Sequence, residues 1–258
     1  MSLISLITDF GEGSIYAAQS KLWLYANLPD VKLVEISHTI DPSDVHNGAY
    51  AFELLLSHHT ESTIHIIAID FDERVHHQEI LIAKHQNQYI ITYNSGFLPL
   101  LGIDCLNSEI WMAKTYSGNH FLSIVECFGH LAKDILNKNL NNYSKLDHQK
   151  LRLLNAQKPT FADNLLRGKI IFVDSREYAY TNIHQTDFDE FKGSKDFNIL
   201  LGRHVKINHI NQSTELMAGG KTYCFFNSAG YLTIGVYRDS TKKMYNLQKD
   251  SIILIEKE

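Results

Sequence analysis

Thr63-Ile64-His65-Ile66-Ile67-Ala68-Ile69-Asp70 is a run of mostly apolar, mostly β-branched residues that ends on an aspartate. Such a run suits a strand covered on both faces, as in a parallel sheet. Upstream, Asp44 is placed to cap a helix carrying Ala49, Ala51, Leu54 and Leu55. Before it, Val31 to Ile36 reads as a strand, Ile15 to Ala26 as a helix and Leu3 to Thr8 as the first strand. Strand, helix, strand, helix, strand argues for an α/β domain with a mostly parallel sheet. Downstream, Glu79 to Ala83 and Gln88 to Tyr93 read as further strands, and residues 124–136 as another helix.

The pattern then changes. Residues 137–160 are rich in Asn, Lys and Gln. Beyond them the strands Lys169–Val173, Asn198–Leu201, His204–Ile210, Lys221–Asn227, Tyr231–Val236 and Ser251–Ile255 come without long helices between them. That predicts a small all-β, barrel-like C-terminal domain. The expected division is 1–145, a linker over 146–165, and 166–258.

The 258 residues are 44% hydrophobic and 21% charged, enough apolar mass for real cores. The net charge of −5 and the scattered basic residues argue against a nucleic-acid partner. Cys105, Cys127 and Cys224 form no C-x-x-C pair, and the 14 histidines show no zinc spacing, so no metal is expected. The N-terminus lacks a basic leader and no apolar run is long enough to span a membrane, so a cytoplasmic protein is expected.

Ligands of parallel sheets collect beyond the carboxyl ends of the strands. Asp9, Ser37-His38 and Asp70 fall there. A strand-end aspartate is as often a turn former or cap, but two on neighbouring strands carry more weight. Gly11-x-Gly13 after the first strand, with Glu35 downstream, permits a dinucleotide reading. Tyr16 at the third glycine position and Asp9 beside the pyrophosphate both oppose it. Asp9 suits ribose hydroxyls better, because a carboxylate accepts two hydrogen bonds at once. The stretch Asp70-Phe71-Asp72-Glu73-Arg74-Val75-His76-His77 is dense in titratable groups, and is either a solvated turn or part of a site.

The order of motifs resembles the S-adenosyl-L-methionine (SAM) hydroxide adenosyltransferases, relatives of the bacterial fluorinase and chlorinase. Thr8-Asp9-Phe10-Gly11 resembles the family's T-D-F-G, and Glu35 to Val45 its D-I-x-H-x-I-x-P-x-D-V. Ile69-Asp70 falls at V-D-P-G-V-G-T-x-R and Asn94-Ser95-Gly96-Phe97-Leu98 at D-N-G-L-L. Asp174 to Ile183 resembles D-x-F-G-N-x-x-T-N-I, and Asn227 to Leu232 resembles N-S-x-G-Y-L. The resemblance implies a homotrimer with its small nucleoside-type ligand between neighbouring subunits. It also implies attack of water on C5′ of SAM, releasing methionine and adenosine, with SAM as substrate or ligand and no other cofactor.

The resemblance assigns the ribose hydroxyls to Asp9 and the attacking water to Asp70. It assigns ligand contacts to Ser43, Asn94, Asp174, Tyr178, Asn227 and Ser228, with Asp174 and Ser228 at the methionine end. The family's arginine falls on His77, which lacks a fixed charge and forked donors; Arg74 is the nearby substitute. The family's F-H-G-R-D histidine falls on Asn119, or on His120 after a slip of one residue. F-G-N has become Arg176-Glu177-Tyr178. Two readings follow: a divergent hydrolase using His77, Arg74 or His120, and a catalytically inactive trimer that binds an adenosine-type or other small ligand.

Overall fold

A computed structural model describes residues 2–56, 62–70, 79–104, 106–113, 121–202, 205–211 and 219–257; side chains of 121–125 are not described. The chain divides into two compact units, Met1–Ala156 and Gln157–Glu258.

In the first unit β1 (Ser2–Thr8), α1 (Ile15–Asn27), β2 (Val31–Ser37), α2 (Val45–Leu56) and β3 (Ile64–Ala68) alternate as the sequence predicts. β4 (Ile80–His85), β5 (Gln88–Tyr93), a single-turn α3 (Phe97–Leu100), β6 (Glu109–Ala113), α4 (Phe121–Leu136) and β7 (Ser144–Lys145) follow. The strands lie in the order β2-β1-β3-β5-β4-β6-β7. Pairs β2–β1, β1–β3 and β3–β5 are parallel, but β5–β4, β4–β6 and β6–β7 are antiparallel. The sheet is therefore mixed, which corrects the mostly parallel expectation. The cause is local. His85 pairs with Gln88 across a loop of Gln86 and Asn87, whose φ angles are 48° and 64°. Two left-handed residues make the tight turn of a hairpin, and a hairpin joins antiparallel strands.

Alternation along the strands separates two cores. Ile4, Leu6 and Ile66 face α1 and α4 with Leu24, Phe128 and Leu131. Ile7, Ile67 and Leu81 face α2 and α3 with Phe52 and Phe97. Gly129 of α4 lies under Trp23 of α1; a Cβ there would sit 1.9 Å from Trp23 Cζ3. His65, fully buried, is 2.6 Å from Ser5 Oγ and 2.8 Å from Gln88 Oε1, as a satisfied core histidine should be.

The stretch 146–156, read from sequence as the start of a linker, packs into this first unit. Leu146 and Leu151 are buried in the α2-side core. Leu154 covers Gly96, and His46 Nε2–H donates to the Asn155 carbonyl at 3.0 Å.

In the second unit β8 (Thr160–Ala162), β9 (Leu165–Val173) and β10 (Ala179–His184) precede α5 (Gln185–Lys192). β11 (Phe197–Leu201), β12 (Val205–Ile207), β13 (Thr222–Phe226), β14 (Tyr231–Val236), a short α6 (Thr241–Tyr245) and β15 (Ile252–Lys257) complete it. The strands form one antiparallel path, β12-β11-β15-β9-β10-β14-β13, with β8 on β9. Asn211, just past β12, donates its N–H to the Cys224 carbonyl of β13 and accepts the Cys224 N–H on Oδ1. That contact brings the two end strands together, so the sheet curls nearly into a barrel around Leu166, Ile199, Leu232, Ile234 and Ile255. No helix of the described residues is long and apolar enough to cross a membrane.

Candidate functional site

In the first unit, Asp9, Ser43 and Asp70 meet at the carboxyl ends of the parallel strands. Asp9 Oδ2 accepts the N–H of Ser43 at 3.0 Å and that of Asp70 at 3.1 Å. Ser43 and Asp70 both have left-handed backbones, with φ of 61° and 70°. A left-handed conformation is unfavourable for a residue with a Cβ and persists where surrounding contacts hold it. Here it aims two N–H groups, from positions 34 and 61 residues away, at one oxygen. Asp9 Oδ1 accepts nothing from the described residues, so it points the carboxylate's remaining acceptor capacity at whatever occupies the edge.

A second set of contacts fixes the neighbouring strand end. Gly11 N–H donates to the His38 carbonyl at 2.8 Å, which the Gly11 φ of 91° permits. His38 Nδ1 lies 2.7 Å from Thr8 Oγ1, and Nε2–H faces Glu35 Oε2 at 3.3 Å. Lys21 completes the chain to Glu35 at 3.0 Å. In the neutral ring, with Nε2 donating to the carboxylate, Nδ1 is the acceptor for the Thr8 hydroxyl. Burial lowers the His38 pKa despite Glu35, while the hydrogen bond from Lys21 lowers that of Glu35. His38 is thus part of the frame behind Asp9. Its signal in the sequence was its place at the end of the second strand.

Asn94, at the end of β5, is used differently. Its Nδ2 donates to Glu79 Oε2 at 2.7 Å and to the Lys150 carbonyl at 2.8 Å, and its Oδ1 accepts the Arg152 N–H at 2.9 Å. The side chain fastens the 150–152 stretch to the sheet edge. Arg74, His77, Asn119 and His120 lie outside the described residues.

In the second unit, Asp174 closes the β9–β10 turn. Its Oδ1 accepts the N–H of Arg176 and of Tyr178, each at 2.9 Å, and its Oδ2 accepts the Tyr180 hydroxyl at 3.1 Å. Burial first, then the Asp174 charge, pushes the Tyr180 phenol well above its usual range. Asn227 closes the β13–β14 turn in the same way, its Oδ1 accepting the N–H of Ala229 and of Tyr231, each at 3.0 Å. Ser228 lies in that turn, exposed. Ala179 pairs with Ile234 and His184 with Tyr231. Asp174 and Tyr178 therefore lie at one end of the β10–β14 ladder, and Asn227 and Ser228 at the other. At roughly 3.3 Å per residue the two turns are on the order of 13 Å apart. A ligand engaging both would have to lie along the strands.

Comparison with known proteins places this two-unit chain in a family. The chain belongs to the SAM hydroxide adenosyltransferase family, whose N-terminal domain matches residues 4–124 and whose C-terminal domain matches residues 168–254. A curated relative, the (R)-S-adenosyl-L-methionine hydrolase of Methanocaldococcus jannaschii, is 23% identical over 96% of this chain and 93% of its own. The fold also matches solved structures of two conserved bacterial proteins. One, from Thermotoga maritima, has a TM-score of 0.73 at 18% identity over 99% of both chains. The other, from Thermus thermophilus, has a TM-score of 0.72 at 16% identity over 100% of both.

Proposed function

We propose that this chain binds SAM at the strand-end edge of its first unit and hydrolyses it to adenosine and methionine. The observation that carries this reading is the Asp9 carboxylate, with Oδ2 fixed by two backbone N–H groups and Oδ1 left to accept the ribose hydroxyls. In the reaction, water oxygen forms a bond to C5′ as the C5′–S bond breaks. The sulfonium sulfur keeps the bonding electron pair and leaves as the neutral thioether of methionine. The proton lost by water passes to Asp70 or to solvent. A sulfonium departs without protonation, so the protein's task is to orient the water and strip competing solvent. Asp70, whose own N–H binds Asp9, is the group that orients it.

Family membership and the curated relative support a SAM substrate. That relative is named for the (R) epimer, so both sulfonium epimers belong in the assay. Assembly as a homotrimer is part of the same proposal and would give a particle of three times 29.5 kDa by light scattering. So is a cytoplasmic location, where SAM is made and consumed.

The test is adenosine release from each epimer, followed by chromatography at enzyme concentrations that show a single turnover. Adenosine above background, lost in Asp70→Asn, supports hydrolysis. One observation favours a second reading, binding without turnover: His77 stands where the family carries arginine. Saturable SAM binding with no adenosine on long incubation would establish it.

A further inference from the structure

Helix α1 carries one charged residue, Lys21, and that side chain is turned to the sheet edge, where it binds Glu35 at 3.0 Å. Ala17, Ser20 and Leu24 are buried beneath the helix. At about 3.6 residues per turn, Tyr25, Ala18, Leu22, Ile15 and Ala26 follow one another across a single arc of about 100°. All five are exposed, Leu22 to 69%, Ile15 to 68% and Tyr25 to 56%. Ten large hydrophobic side chains are exposed among the described residues, and four of them, Ile15, Tyr16, Leu22 and Tyr25, lie on this one helix. Helix α5 shows the ordinary alternative, with Gln185, Thr186, Asp189 and Glu190 turned to solvent. A contiguous apolar stripe without charge marks an interaction surface.

The stripe also specifies what covers it. Ile15, Ala18, Leu22 and Tyr25 are spaced by three, four and three residues, the spacing of a helix–helix seam. The four positions are symmetric about residue 20. An antiparallel copy of the helix therefore sets Ile15 opposite Tyr25 and Ala18 opposite Leu22. Each layer then pairs a smaller side chain with a larger one, which lets facing layers interdigitate. No charge lies on the stripe, so two copies can meet without stranding an ion in an apolar contact. Among the described helices, Met244 of α6 is the one exposed large hydrophobic outside α1, and it stands alone. The surface in this chain that complements α1 is α1 itself.

We propose that α1 is a contact between two copies of this chain, packed antiparallel across a twofold axis. A twofold contact uses the same surface on both sides and closes after two subunits, whereas the ring of a homotrimer joins unlike surfaces. The α1 contact therefore pairs single chains, or pairs trimers where those form. It does not require that SAM be bound or turned over. A contact made by one helix is small for a specific interface, so micromolar affinity is expected.

The test is light scattering of the full chain and of Leu22→Glu at about 100 μM. The parent particle should have about twice the mass of the variant, because the glutamate would be buried unpaired in the seam. Leu22 is exposed, so the thermal midpoint should stay unchanged. The orientation is read by oxidation. The double variant Ala18→Cys/Leu22→Cys should form an intermolecular disulfide that Ala18→Cys alone and the parent chain do not, because antiparallel packing sets position 18 against position 22. Equal masses for parent and Leu22→Glu would overturn the proposal. So would a threefold drop in mass, which would place α1 in a ring, or cross-linking of Ala18→Cys alone, which would make the helices parallel.

Discussion

Asp9 and Asp174 both end a strand, and both read from the sequence as ligand carboxylates. The structure uses them differently. Asp9 gathers N–H groups from residues 34 and 61 positions away and does so with one oxygen. Asp174 binds the N–H groups two and four residues ahead and the hydroxyl six ahead, and uses both oxygens. The first arrangement converges separate loops on one point and keeps acceptor capacity in reserve. The second closes a hairpin. A carboxylate held by distant backbone is the stronger pointer to a site, because turn formation alone does not call for it.

The sharpest way to break this contrast is to remove each carboxylate. Asp9→Ala should lower adenosine release at least about 100-fold and destabilise the first unit by about 2–4 kcal/mol, since two N–H groups at the sheet edge lose a charged acceptor. Activity assay and denaturant unfolding would check it; a variant with unchanged turnover would end the ribose role of Asp9. Asp174→Ala should cost about 2 kcal/mol of second-unit stability, and Asp174→Asn should restore most of it, because an amide oxygen accepts the same two N–H groups. If Asp174→Asn folds normally yet abolishes turnover, Asp174 contacts ligand and the contrast fails.

Smaller effects sharpen it. Glu177→Gly relieves a left-handed φ of 64° but loses the side-chain bond to Ser240. The two nearly offset, and the net change in unfolding free energy should stay within about 1 kcal/mol. The smallest effect is a pH dependence in the first unit. The folded His38 pKa lies below its ordinary value, so the unfolded chain takes up the proton first. Its contribution is complete above the ordinary histidine pKa of about 6.5 and is lost as pH falls from there through the depressed folded value. Thermal midpoints measured from pH 7 to 5 should fall less steeply in His38→Gln than in the parent chain.

Much of the first unit was legible because its strands are continuous β-branched runs and its helices follow capping residues. The direction of β4 was not read. Its signal was the short polar His85-Gln86-Asn87-Gln88 step between two strands, a hairpin signature that the helix-and-strand alternation upstream obscured. β10 escaped for another reason: Ala179 to His184 was read for its motif, while its alternation of buried Ala179, Thr181 and Ile183 carried the strand. At the candidate site, the placement of Asp9 and Asp70 was legible because strand ends are visible in sequence. That one oxygen of Asp9 would tie Ser43 to Asp70 was not, because hydrogen bonds across 34 and 61 residues leave no periodic trace.

The packing of 146–156 on the first unit bears on how this protein can be recombined with its relatives. A chimera joined after Lys145 would carry a foreign sequence where Leu146 and Leu151 fill the core, Asn94 binds Lys150 and Arg152, and His46 binds Asn155. A chimera joined between Ala156 and Gln157 keeps those matched sets together. Exchanged second units should therefore be tolerated at the later junction and rejected at the earlier one, so that the unit of inheritance for the first half of the molecule extends past its last strand.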